Sequence, residues 1–175
     1  MRILLLPLVL LVVGCSGESS TTLSYSGIFE LELDSERLAG AVLFASDELS
    51  VQTSDGTLIS GRIITREQES LPEDFKLSDY PKYILNLKDT QGLSEGLAKS
   101  FEASKSEIEY SYGLDNVRTQ STERMKAYIT CSENQCLSYI ISGAAKDHLL
   151  SFHGKDITER EFQKLVKGII NANAQ

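Results

Sequence analysis

The clearest hydrophobic pattern lies near the C-terminus. Phe162, Leu165, Val166, Ile169 and Ile170 recur at i, i+3, i+4, i+7 and i+8, the stripe of a helix that lies on a sheet. Thr158 and Glu161 before it form an S/T-x-x-E capping box, and Ile157 ahead of the cap can staple onto Phe162. The pattern predicts a helix that begins after Thr158 and frays over residues 171–175. Upstream, residues 125–131 and 136–143 read as two strands joined by Ser132-Glu133-Asn134-Gln135. A third strand, 149–153, follows the turn-like Ala145-Lys146-Asp147.

The first half also reads as β-structure. From Ile28 to Leu33 the chain alternates, which predicts Phe29, Leu31 and Leu33 inward and Glu30 and Glu32 outward. Residues 41–45 form a short apolar run. Residues 49–53 and 57–65 flank Ser54-Asp55-Gly56, and Asp-Gly between two such runs is a strong hairpin signal. The character changes over residues 67–79, which are charged and contain Pro72. Pro81 suits the first turn of a short helix through Leu87. Leu93, Leu97, Ala98 and Phe101 then fall at helical spacing, predicting a second amphipathic helix of about 11 residues.

No internal repeat is visible. Strands, then helices, then a strand meander and a closing helix predict an α+β fold: an antiparallel sheet covered by two or three helices. This element order, taken over the whole of the chain after its apolar leader, resembles that of the extrinsic photosystem-subunit superfamily of α+β sandwiches, whose members include bacterial lipoproteins. No motif carries that resemblance.

The N-terminus is of another kind. Arg2 is followed by an uninterrupted apolar run from Ile3 to Val13, 11 residues. At about 1.5 Å of rise per residue, that run is too short to span roughly 30 Å of hydrocarbon as a helix. A basic start, a short apolar core and a small residue at its end mark a secretory signal over residues 1–14. Val12-Val13-Gly14-Cys15 resembles the lipobox of bacterial lipoproteins. The resemblance implies diacylglyceryl transfer to the Cys15 thiol, cleavage before Cys15 and acylation of the new amine, so that Cys15 anchors the chain to a lipid bilayer. Several acyl chains, at about 0.8 kcal/mol per buried methylene, hold a protein on a bilayer far better than one does. Ser16-Gly17-Glu18-Ser19-Ser20-Thr21-Thr22 has nothing to bury, so residues 15–22 read as the lipidated cysteine and a flexible tether. Residues 23–175 then make one globular domain. Among Gram-negative lipoproteins, Asp after the lipidated cysteine favours retention in the inner membrane; Ser16 stands there, which implies the outer membrane, periplasmic face.

Cleavage leaves 161 residues, enough for one sizeable core. The full chain carries 17 basic and 25 acidic residues; loss of Arg2 leaves 16 against 25, a net charge of −9. Such a charge repels nucleic acid and anionic lipid surfaces, and it suits solubility or a basic protein partner.

With Cys15 lipidated, Cys131 and Cys136 remain as a pair in an exported chain, which favours a disulfide. A hairpin with four residues between them sets them opposite each other, about 4.5 or 5.5 Å apart at Cα, within reach of that bond. The alternative is metal: Cys131, Cys136, His148 and His153 follow C-x4-C-x11-H-x4-H. Geometry opposes it, because residues five apart on a strand point to opposite faces and on a helix diverge by about 140°. No metal and no cofactor is expected. Glu30, Glu32 and Asp34 share a strand face, where they could bind calcium or act as acid and base, or simply face solvent. Tyr110, Tyr112, Tyr128 and Tyr139 could form a binding surface, although Tyr128 and Tyr139 are also cross-strand neighbours in the register the cysteines set.

No G-x-S-x-G, H-E-x-x-H or Gly-rich phosphate loop occurs. The expectation is therefore a non-enzymatic, lipid-anchored envelope protein that binds a protein partner. One alternative is an inhibitor or immunity lipoprotein neutralising a basic toxin or hydrolase. The other is an unrecognised envelope hydrolase, which a pocket gathering His148 or His153 with a serine or carboxylate would favour.

Overall fold

The computed structural model describes residues 20–46 and 48–173. The proposed signal segment and Cys15 lie outside them. The described chain has a mixed α+β fold, as expected: a seven-stranded antiparallel sheet, a two-stranded hairpin and four helices. In chain order the strands are β1 Ser20–Tyr25, β2 Phe29–Asp34, β3 Val42–Ala45, β4 Leu49–Gln52, β5 Leu58–Ile64, β6 Arg118–Ser121, β7 Met125–Cys131, β8 Gln135–Ser142 and β9 Leu149–Lys155. The helices are the single turn α1 Ser35–Leu38, then α2 Tyr80–Ile84, α3 Glu95–Tyr112 and α4 Glu159–Ala172. The sheet order is β3-β4-β5-β9-β8-β7-β6. Two local meanders, β3–β5 and β6–β9, are thus stitched together by the antiparallel pairing of β5 with β9, where Ser60 lies opposite His153.

Each face of the sheet is covered. On one, the α4 stripe Phe162, Leu165, Val166, Ile169 and Ile170 packs with the inward residues of the β1–β2 hairpin onto Val51, Ile59, Ile140, Leu150 and Phe152. On the other, α2 and α3 close over Ile64, Tyr128, Leu137, Tyr139 and Leu149. The capping box forms as expected: the Thr158 hydroxyl accepts from the Glu161 amide, and the Glu161 carboxylate accepts from the Thr158 amide. Phe162 stacks on Phe152 with ring centroids 5.3 Å apart. Gly154 lets the ring come that close, because a Cβ there would sit 2.7 Å from Phe162 Cδ2 and 2.8 Å from Ile157 Cγ2.

The β2 alternation is observed in full, with Phe29, Leu31 and Leu33 buried and Glu30, Glu32 and Asp34 exposed. The Asp55-Gly56 hairpin joins β4 to β5, with Gly56 at φ 92° and the Asp55 carboxylate accepting from the Thr53 hydroxyl and the Thr57 amide. Several boundaries differ from the expectation. β1 begins at Ser20, so the last three residues of the expected tether pair with β2 instead, Ser20 opposite Asp34. The helix opened by Pro81 ends at Ile84 rather than Leu87, since Asn86 turns to φ 56°. α3 runs 18 residues, not about 11: Ile108 is buried and Tyr112 half-buried, seven and eleven residues beyond Phe101 on the same face, and Gly113 at φ 71° ends it. β6 is polar throughout and was not expected as a strand. The end of α4 does not fray at residue 171, because the Asn173 side-chain amide donates to the Glu30 carbonyl and accepts from the Glu30 amide.

Candidate functional site

Three places combine chemistry with shape: the cysteine hairpin with its neighbouring histidine, a cleft beside His148, and the β3 edge. Cys131 and Cys136 are register partners at the end of the β7–β8 hairpin, with their sulfurs at bonding distance. His153 does not join them. It pairs with Leu137, whose side chain packs under α2 and α3, whereas Cys136 packs on the face under α4. His148 lies in the turn before β9. The four residues of the finger-like spacing are therefore spread over both faces of the sheet.

His153 is instead the centre of a hydrogen-bond chain. Its Nδ1 lies 3.0 Å from the Tyr112 hydroxyl and its Nε2 2.8 Å from the Ser151 hydroxyl. Burial raises the pKa of the neighbouring Tyr139, and Ser151 offsets part of that rise. In a neutral ring one nitrogen donates and the other accepts, so one of the Tyr112 and Ser151 hydroxyls accepts from the ring and the other donates to it. Burial, with the Arg62 charge adding to it, lowers the His153 pKa to about 4, so the ring is neutral. Burial also raises Tyr112, helped by Glu107 and Glu48. A serine and a histidine thus meet, as a hydrolase would require, and that serine is only 2 % exposed. The chain ties the end of α3 to β9.

The tyrosines divide. Tyr128 and Tyr139 are cross-strand partners and both are buried. Tyr139 meets Tyr80 edge-on, and the Tyr80 hydroxyl donates to Glu69. Tyr110 is 94 % exposed, so the four do not form one surface. Glu30, Glu32 and Asp34 stand on the solvent face of β2.

His148 borders a cleft of about 540 Å³ floored by Phe75, Leu77, Ile141 and Leu149. Arg66, Lys76 and Lys146 line it together with Glu73, Asp74 and Asp147, and Arg66 pairs with Asp147 at 2.6 Å.

The β3 edge breaks the ordinary rules of sheets. Val42, Leu43 and Phe44 are 52 %, 55 % and 52 % exposed. The strand carries no charge, no proline and no bulge, the devices that guard a free edge. β6, at the other edge, is polar, and its Arg118 pairs with Glu159 of α4. In sequence an unbroken apolar run reads as a core strand. Only the sheet order reveals that this one lies at the rim, which is why the sequence gives the run but not its exposure.

No protein-family model matches this chain, and no curated protein matches it.

Proposed function

We propose that the chain is a lipid-anchored accessory domain, held on the periplasmic face of the outer membrane through acylated Cys15, that binds a protein partner by accepting an extended segment along β3. The reading rests on one observation above others, the uncharged apolar edge Val42-Leu43-Phe44. Proteins do not leave such an edge bare without aggregating, unless something pairs with it. Strand addition supplies main-chain hydrogen bonds to β3 and lets alternate side chains meet Leu43 on one face and Phe44 on the other. The remainder of the domain fits a rigid support: α2, α3, α4 and the hairpin fix the sheet from both sides.

The charge of −9 left after cleavage before Cys15 suits a basic partner. A basic toxin or hydrolase held by an immunity lipoprotein would use the same edge. The experiment is in-cell cross-linking followed by purification of the wild-type chain and of Leu43→Lys/Phe44→Lys. Both positions face solvent, so the variant should fold and unfold like the wild type while losing its captured partner. Equal capture by both proteins would refute the β3 reading.

A further inference from the structure

The cleft of about 540 Å³ beside His148 lies where β5 and β8 end and β9 begins, between residues 73–78 and residues 141–149. In the sheet, β4 and β5 separate β9 from β3. Bonds within the fold fix both sides of the cleft. The Phe75 amide donates to the Pro72 carbonyl, and the Phe75 ring packs on Tyr83 and Phe101, with centroids 6.0 and 5.7 Å away. Opposite, the Ser142 hydroxyl accepts from the amides of Ala144 and Ala145, and the Gly143 amide donates to the Arg124 carbonyl. Each side contributes to the apolar floor, Phe75 and Leu77 from one, Ile141 and Leu149 from the other. The apolar part of the cleft therefore runs between two charged rims. Its volume is that of a small-molecule site, roughly 300–1,000 Å³.

The rims differ in sign. On one, Glu73 and Asp74 stand against Lys76, which leaves a negative charge over. On the other, Arg66 and Lys146 stand against Asp147; Arg66 takes Asp147, which leaves Lys146 over. Glu73, Asp74, Lys76 and Lys146 form no ion pair with any described residue. A zwitterion with an apolar middle matches this arrangement. Its ammonium meets Glu73 and Asp74, its carboxylate meets Lys146, and the His148 ring can donate to that carboxylate. A zwitterionic lipid headgroup does not match, because its two charges lie together at one end of its apolar chains.

We infer that this cleft is a second binding site, independent of the β3 edge, for a short peptide with free termini and apolar side chains. The peptide lies across the floor with its amine towards Glu73 and Asp74 and its carboxylate towards Lys146. Both rims are exposed, so each end of the peptide contributes a few-fold to affinity, and the floor supplies the rest.

The test titrates trileucine into the full chain, purified in detergent, by calorimetry, with detergent alone as the blank. Expected is saturable binding, weakened about 2- to 5-fold by acetylating the peptide amine and as much by amidating its carboxylate. Glu73→Gln/Asp74→Asn should weaken trileucine by a similar factor and leave the acetylated peptide unaffected. Lys146→Gln should do the same for trileucine and its amide. These positions are exposed, and an unchanged melting temperature without peptide shows that the variants fold. No saturable binding tighter than about 1 mM, or binding indifferent to both modifications, overturns the inference. So does an acetylation effect that persists undiminished in Glu73→Gln/Asp74→Asn. Each of these failures leaves the β3 reading standing, because that edge takes no part in the titration.

Discussion

Replacing Gly154 with alanine should loosen α4 from the sheet, and the structure gives the size of the effect. The new methyl would lie 2.7 Å from Phe162 Cδ2, 3.0 Å from its Cε2 and 2.8 Å from Ile157 Cγ2. None of these is the free end of a flexible chain. Phe162 is 0 % exposed and stacked on Phe152, and Ile157 is buried at the start of the helix. Relief therefore means moving the ring, and with it the first turn of α4. Overpacking of this kind costs about 1–3 kcal/mol. For a domain of this length, that corresponds to a fall in melting temperature of roughly 2–12 °C, at about 2–4 °C per kcal/mol. The measurement is urea unfolding followed by circular dichroism, which does not need the tryptophan this chain lacks. A second variant, Phe162→Leu, removes the ring that the methyl strikes. If the clash is the cause, the double variant should be less destabilised than the sum of the two by about 0.5–3 kcal/mol. A Gly154→Ala loss below about 0.3 kcal/mol, or strict additivity, would mean that α4 does not press on β9 as described.

Cys15→Ala should abolish palmitate labelling and release the chain from membranes; a variant that still labels and still sediments with them would refute the lipobox reading. Acid should destabilise the domain through His153, whose pKa is about 4 when folded and about 6.5 when unfolded. Its contribution is complete above the unfolded value and is lost as pH falls towards 4, because the unfolded chain then binds a proton that the buried ring refuses. The loss reaches at most about 3 kcal/mol, and His153→Gln should flatten stability between pH 6.5 and 4 in proton-linked unfolding curves. Non-reducing mass spectrometry should find the Cys131 and Cys136 peptides linked, and removing the bond with Cys131→Ser/Cys136→Ser should cost about 2 kcal/mol, as expected for a short loop. Two free thiols with stoichiometric zinc, lost on His148→Ala, would instead revive a metal site there.

What the sequence determined by itself is local. The α4 stripe with its capping box, the alternation of β2, the Asp55-Gly56 hairpin and the opposed cysteines each depend on residues within a turn or two of one another. Their geometry follows from helix and strand periodicity alone. Elements whose stability comes from distant partners were not legible. β6 is the polar run Arg118-Thr119-Gln120-Ser121, a strand because β7 offers it hydrogen bonds. Ser20, Thr21 and Thr22 look like linker until β2 pairs with them. The second half of α3 has few apolar residues, and it is held by Ile108 under the sheet and by the Tyr112–His153 bond. The pairing of β5 with β9, across nearly a hundred residues, brings Arg62 near His153 and places Ser60 beside it. It also decides that β3 ends the sheet. An apolar strand in the middle of a sheet is core and the same strand at its rim is a docking edge; composition is identical in the two cases, and only the order of the strands distinguishes them.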